Sequence, residues 1–314
     1  MPAPRRTPRR HVDGVLLLDK PPGITSNAAL MRVKRLYRAD KAGHTGTLDP
    51  LASGLLPVCF GAATRFAGFL LDAPKRYVAT VRFGVTTTTL DAEGGVVASR
   101  EVAFGRDELD AALARFTGPQ MQTPPAHSAL KLEGRPYYDY ARRGVDIART
   151  PRAIVIHALR LVQWQAPDAV VEVECSKGTY VRVLAADLGE ALGCGAHLAA
   201  LRRTASGGFA LADAVTFDAL DAMDECALDA CLKPVDVLVA HLPALTVTGD
   251  AARRFRHGGA VPAEHCDDGL VAAYEADALL GIADVMGGIA NPRRTMASPA
   301  KSSELLEKQA FSTL

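Results

Sequence analysis

Long apolar runs are missing from this chain, and the purely apolar stretches, such as Val15 to Leu18, are far too short to cross a bilayer. No apolar core follows the basic N-terminus either, so the signal-peptide pattern is absent and a cytoplasmic location is the expectation. Cysteine is sparse: six residues scattered over 314 positions do not make a disulfide framework and read as reduced thiols. No second pair at metal-ligand spacing accompanies Cys194-Gly195-Ala196-His197 or Cys226 with Cys231, so no metal site is expected. There is no Walker loop, and Gly189 to Gly195 has neither the spacing nor the preceding strand of a dinucleotide fingerprint. Nor is one sign of charge in excess, because the formal net charge is +1.

What is present is ordinary in bulk and uneven in detail. Apolar residues make up 48% and charged residues 23%, the balance of a globular protein long enough to bury a large core. Basic residues cluster at Arg5/Arg6/Arg9/Arg10, Lys75/Arg76, Arg142/Arg143, Arg149/Arg152, Arg202/Arg203 and Arg253/Arg254/Arg256, while acids crowd between Asp213 and Asp236. Separation of this kind can give a neutral molecule a positive face. The most informative segment runs from Gly43 to Leu56, where Asp49 is the single carboxylate. Gly43, Gly46, Gly54 and Pro50 permit tight turns and close approach to a ligand, and Leu48, Leu51, Leu55 and Leu56 supply an apolar wall. A carboxylate so placed suits a nucleophile or base; the plainer alternative is that Thr47 or Asp49 caps a helix beginning near Pro50.

Strand and helix patterns are interspersed without a regular βαβ period, which points to an α+β fold rather than a dinucleotide-binding one. Ser26 and Asp107 read as helix N-caps, Tyr77 to Phe83 and Val170 to Cys175 alternate as strands, and Val181, Leu184, Leu188 and Leu192 recur at helical spacing. Residues 1–10 and 295–314 read as disordered tails, the first of them basic. Residues 121–152 carry Pro124-Pro125, aromatics and charges with weak periodicity, which predicts a long excursion from the core. A composition change near Leu238 to Pro243 separates residues 11–240 from a short, Gly-rich, strand-like segment, 241–294.

The Gly43–Leu56 string resembles the catalytic motif of the TruB family of bacterial tRNA pseudouridine-55 synthases, and further motifs match in order. They are Leu18-Asp19-Lys20-Pro21-Pro22-Gly23, Arg76-Tyr77, Ser176-Lys177-Gly178-Thr179-Tyr180-Val181-Arg182 and Leu201-Arg202-Arg203-Thr204. The resemblance implies a pseudouridine-synthase domain with a mixed, largely antiparallel sheet and flanking helices, followed by a small PUA-like RNA-binding domain. It implies that Asp49 is the nucleophile, that Tyr77 stacks on the target base, and that Arg182 orients Asp49. Lys20, His44, Tyr180 and Leu201 would shape the pocket, with Lys131 in an inserted loop, Pro124 to Lys131 onward, that grips the RNA. Family members generally carry Phe or Tyr where His127 stands, so a titratable ring replaces the aromatic contact there, which bears on the docking of that loop and not on the reaction.

The implied reaction isomerises uridine 55 of the tRNA TΨC loop, with no cofactor and no obligate protein partner in a monomeric enzyme. Attack on ribose C1′ and attack on uracil C6 both fit the residues. Two other readings compete. One is a non-catalytic RNA-binding or tRNA-folding module; the other is a phosphoryl-transfer enzyme, because Thr45-Gly46-Thr47-Leu48 superficially resembles an aspartyl-phosphate motif. Against the second, Gly43-His44 stands where that motif needs an acid.

Overall fold

The computed structural model describes residues 8–128 and 130–296. Its centre is a nine-stranded sheet whose main path uses strands β1 Gly14–Lys20, β2 Ser53–Phe60, β3 Lys75–Phe83, β4 Gly118–Gln122, β5 Arg152–Gln165, β6 Asp168–Cys175 and β7 Ala196–Ser206. They lie in the order β1-β2-β7-β3-β6-β5-β4. The β2/β7 pair is parallel and the other neighbours on this path are antiparallel. The α+β class with a mixed, largely antiparallel sheet is therefore the one expected, and a small β-rich C-terminal domain follows it.

Burial explains which sequence patterns were legible. In β6 the alternation is real: Ala169, Val171, Val173 and Cys175 are buried on the face covered by helices α2 Arg106–Arg115 and α3 Val181–Ala191. At the other end of the sheet both faces are covered. Leu16, Leu18, Leu56 and Val58 pack against helix α1 Ser26–Leu36 and the 217–228 segment, while Val15, Leu17, Leu55 and Cys59 pack against Phe66 and the C-terminal domain. Two-sided burial turns an alternating strand into the continuous apolar runs seen there, each side chain contributing about 1.5–3 kcal/mol.

Parallel contact between β2 and β7 sets Gly54 opposite Arg203. Gly54 has φ +98°, and a Cβ built on it would fall inside the backbone of Arg203. Gly54→Ala combines left-handed strain with overpacking and is expected to destabilise the fold by about 3 kcal/mol, read as a lower thermal midpoint.

Local details differ from the sequence reading. Helix α1 is capped by Thr25, whose hydroxyl accepts from Ala28 N at 3.1 Å, so Ser26 is its first helical residue. Asp107 lies within the first turn of α2, where the Glu108 carboxylate accepts from Gly105 N at 3.1 Å. No helix starts at Pro50; the chain runs irregularly through Asp49 and Pro50 into β2. Arg10 is held rather than loose, its N–H on Arg38 O at 3.0 Å and its guanidinium on Asp229 at 2.7 Å. The rest of the expected N-terminal tail, up to residue 7, and residues 297–314 lie outside the described residues. Arg32 with Asp221 and Arg38 with Glu225 join Arg10 in neutralising the acidic 213–236 stretch against the α1 end of the protein.

Between β4 and β5 the chain leaves the sheet through a two-residue-per-strand hairpin, Lys131–Leu132 with Arg135–Pro136, and a helix, Tyr137–Arg142. Elements this short leave no periodicity to detect. The C-terminal domain is a five-stranded sheet spanning Ala244 to Thr295, with the helix Gly249–Arg256 laid on a core of Leu245, Phe255, Val271 and Val285. Several of its arginines are internally paired: Arg253 with Asp250, Arg256 with Glu275, and Arg293 with Asp284.

Candidate active site

The loop carrying Asp49 is fixed from several sides before any ligand arrives. Leu48 N donates to Ser26 Oγ at 2.7 Å, Gly23 N donates to Pro50 O at 2.8 Å, and Ala52 N donates to Asp49 O at 3.0 Å. From β7 the Arg203 guanidinium donates to Gly46 O at 3.1 Å and Leu55 O at 2.7 Å. With the backbone anchored on these sides, the Asp49 side chain stands on the wall of a cavity. Rigid support of this kind pre-organises a reacting group.

Asp49 lines a cavity of about 420 Å³ together with Tyr77, Tyr180, Arg182 and Leu201. These five residues come from a loop, two strands and the start of α3, so only the folded sheet brings them together. Arg182 Nη2 lies 3.2 Å from Asp49 Oδ2, and Arg182 Nη1 lies 3.4 Å from Asp91 Oδ2. Nη2 also donates to His127 O at 2.7 Å. One buried guanidinium thus serves two carboxylates and a carbonyl of the inserted segment. Burial pushes the Asp49 carboxyl above the ordinary carboxylate range, and Asp91 adds to this, while Arg182 and Lys20 oppose it.

Tyr77 on β3 is pushed upward by burial, with Arg203 acting in the opposite direction, so at neutral pH it offers a neutral phenol and an aromatic face. Tyr180 is also raised by burial. Three expected pocket residues stand elsewhere. Lys20 is fully buried at the end of β1, donating to Pro21 O at 2.9 Å and Ile24 O at 2.8 Å, and burial lowers it to about 8. It supports the turn that holds Pro50 rather than lining the cavity. His44 lies on the short strand Ala42–His44 against β2, where burial and then Arg203 lower its pKa and keep it neutral. Lys131 is exposed on the hairpin, and its neighbour Leu130 is the one that reaches the cavity.

Other residues carry the site and escaped sequence reading. Asp91 is buried, held by Thr89 Oγ1 at 2.5 Å and by Glu93 N at 3.1 Å, in a threonine-rich turn with no motif to mark it. Lys75 lies on the cavity wall with its ammonium on the carbonyls of Leu70, Leu71 and Ala73, at 3.2, 2.6 and 2.6 Å. Arg203 was legible only as half of a basic pair. Strand alternation is the signal that separates the pair: Arg202 points out to Asp19 at 2.7 Å, whereas Arg203 is 1% exposed beneath the Asp49 loop.

The sequence that builds this sheet and cavity matches those of pseudouridylate synthases. The profile described as "TruB family pseudouridylate synthase (N terminal domain)" matches residues 34–181, and that of the "tRNA pseudouridylate synthase B C-terminal domain" matches 182–240. The chain belongs to the TruB family. A relative named tRNA pseudouridine synthase B from Thiobacillus denitrificans is 55% identical over 291 residues, covering 92% of this chain and 98% of the relative. One of the same name from Burkholderia pseudomallei is 53% identical over 307 residues, covering 95% and 98%. Among solved structures, a chain of a Cbf5-Nop10-Gar1 complex superposes with TM-score 0.71 at 29% identity, covering 92% of this chain and 87% of that one. A chain of the archaeal box H/ACA sRNP Nop10-Cbf5 complex gives TM-score 0.69 at 28% identity, covering 91% and 87%. Among the described residues no helix is long and apolar enough to cross a membrane.

Proposed function

We propose that the protein converts uridine 55 in the TΨC loop of tRNA to pseudouridine with Asp49 as nucleophile. The observation that carries this reading is the Asp49 carboxylate held 3.2 Å from Arg182 on the wall of a cavity that also presents Tyr77 and Tyr180. Asp49 attacks ribose C1′ or uracil C6; the N1–C1′ bond breaks, the uracil turns within the cavity, C5 bonds to C1′, and the C–O bond to Asp49 breaks to return the free carboxylate. The C5 proton leaves and N1 gains one, so atoms and electrons balance without a cofactor. Tyr77 stacks on the base and takes up the C5 proton, Arg182 orients Asp49, and Tyr180 and Leu201 bound the pocket. Lys20 and His44 support the walls from behind.

A uridine in a folded RNA must leave its stack first, at about a few kcal/mol, which stacking in the pocket and backbone contacts offset. The segment between β4 and β5 suits the gripping role. Lys131, Arg135, Arg142, Arg143 and Arg152 are exposed there and can meet phosphates, while Arg149 donates to Pro124 O at 3.2 Å. The PUA-like domain at 241–294 extends the RNA contact, and the enzyme acts in the cytoplasm as a monomer without an obligate partner. The test is nucleotide-resolved mapping of pseudouridine in an unmodified tRNA transcript after incubation with the protein. Conversion at position 55 is the expected result; tight binding without any conversion would overturn the reading in favour of an RNA-binding module.

A further inference from the structure

The inserted segment is joined to the chemistry at its root. Gln122 is the last residue of β4, and its register partner is Arg152, the first residue of β5, so this pair marks where the chain leaves the sheet and where it returns. Gln122 is 5% exposed, and its side-chain amide is committed to one residue. Its Oε1 accepts from Tyr180 N at 2.8 Å and its Nε2 donates to Tyr180 O at 3.1 Å. Tyr180 precedes α3 without a side-chain cap, and its carbonyl also accepts from Val183 N and Leu184 N, both at 3.1 Å. Gln122 therefore fixes both peptide groups flanking Tyr180, and with them the first turn of the helix that carries Arg182. A third bond joins the same two pieces further out, His127 O accepting from Arg182 Nη2 at 2.7 Å.

We infer that Gln122 is a positioning residue, tying the seating of the inserted segment on RNA to the alignment of Arg182 against Asp49. Without its amide, the Tyr180 N–H and one lobe of its carbonyl lose a buried partner, and the start of α3 is free to shift. A displacement of the Arg182 guanidinium by about 1 Å is enough to lower a rate on the order of 100-fold. Asp49 also responds through charge. Arg182, Asp91, Lys20 and Glu93 are its charged neighbours, Tyr77, Tyr180, Lys75 and Arg203 share the cavity wall, and Arg182 is the one whose position Gln122 controls.

This inference rests on the proposed function, and the experiment separates the two. Wild type and Gln122→Met, which keeps the length but neither hydrogen bond, are compared in single-turnover pseudouridine formation at saturating enzyme across pH, with transcript affinity and thermal midpoint measured on the same samples. The expected result is a rate about 100-fold lower, an affinity within about twofold of wild type, and an acid limb moved to higher pH. Gln122→Glu retains an acceptor for Tyr180 N–H and is expected to recover part of the rate; it also replaces Gln122→Met if that variant fails to fold. Equal rates, or a rate and affinity that fall in parallel with the pH profile unmoved, would overturn the inference. Absence of conversion by wild type would instead overturn the function.

Discussion

Replacing Asp49 with Asn is expected to reduce pseudouridine formation by at least about 10⁴-fold, as loss of a covalent nucleophile does, while transcript binding is retained. The carboxamide matches the carboxylate in shape, so the loop held by Ser26, Gly23 and Arg203 keeps its bonds, all of which involve backbone atoms of residues 46–55. What disappears is the negative charge facing Arg182. The same substitution makes a prediction about stability with a definite sign. Burial raises the Asp49 pKa in the folded state above its unfolded value, so the native protein binds this proton more tightly. Its favourable contribution is complete below the unfolded pKa and is lost as pH rises through the folded one. At pH 7 the ionised carboxylate is therefore a liability to the fold, and Asp49→Asn should melt at or above the wild-type temperature, the advantage vanishing on acidification. Wild-type activity should fall as pH drops through the raised pKa, at a pH above the usual carboxylate range. A variant that melts lower at pH 7 would show that Asp49 holds the loop together instead of being held by it.

The site's residues were legible one by one, although only the fold brings them together. Asp49 sits in a glycine-bearing turn, Tyr180 and Arg182 follow another at the start of α3, and Tyr77 and Leu201 sit on alternating strands. The sheet class was legible from interspersed patterns, and α3 from its helical repeat. The misses have a common physical cause: a side chain's partner is set by tertiary contact. Ser26 reads as a cap because it precedes the helical repeat Leu30, Val33 and Leu36, but Thr25 caps the helix and Ser26 turns to Leu48. Lys20 and Arg203 are charged residues that the rule of surface exposure assigns to solvent; carbonyls of nearby turns and strands satisfy them inside. Asp91 and Gln122 acquire their roles from residues 91 and 58 positions away, a separation at which no local pattern operates.

Arg182→Met is expected to remove activity by about 10³-fold and also to destabilise the fold, a combination that distinguishes Arg182 from Asp49. The guanidinium is 6% exposed and lies between Asp49, with 42% of its side chain exposed, and Asp91, with 3%. Water can compensate the first carboxylate when the cation is lost. It cannot reach the second, which among the described residues keeps Thr89 Oγ1 and Glu93 N as donors. An unpaired buried charge of this kind costs about 3–5 kcal/mol, which a thermal or denaturant melt reads directly. Arg182→Lys should fall between the two, because a single ammonium cannot span both carboxylates and the His127 carbonyl as the planar guanidinium does. The double variant Arg182→Met with Asp91→Asn removes the stranded charge and should regain most of the lost stability, yet activity should stay near that of Arg182→Met alone, because Asp49 still lacks its orienting partner. Recovery of activity in the double variant would mean that Arg182 acts only by neutralising Asp91, and that Asp49 needs no cation to react.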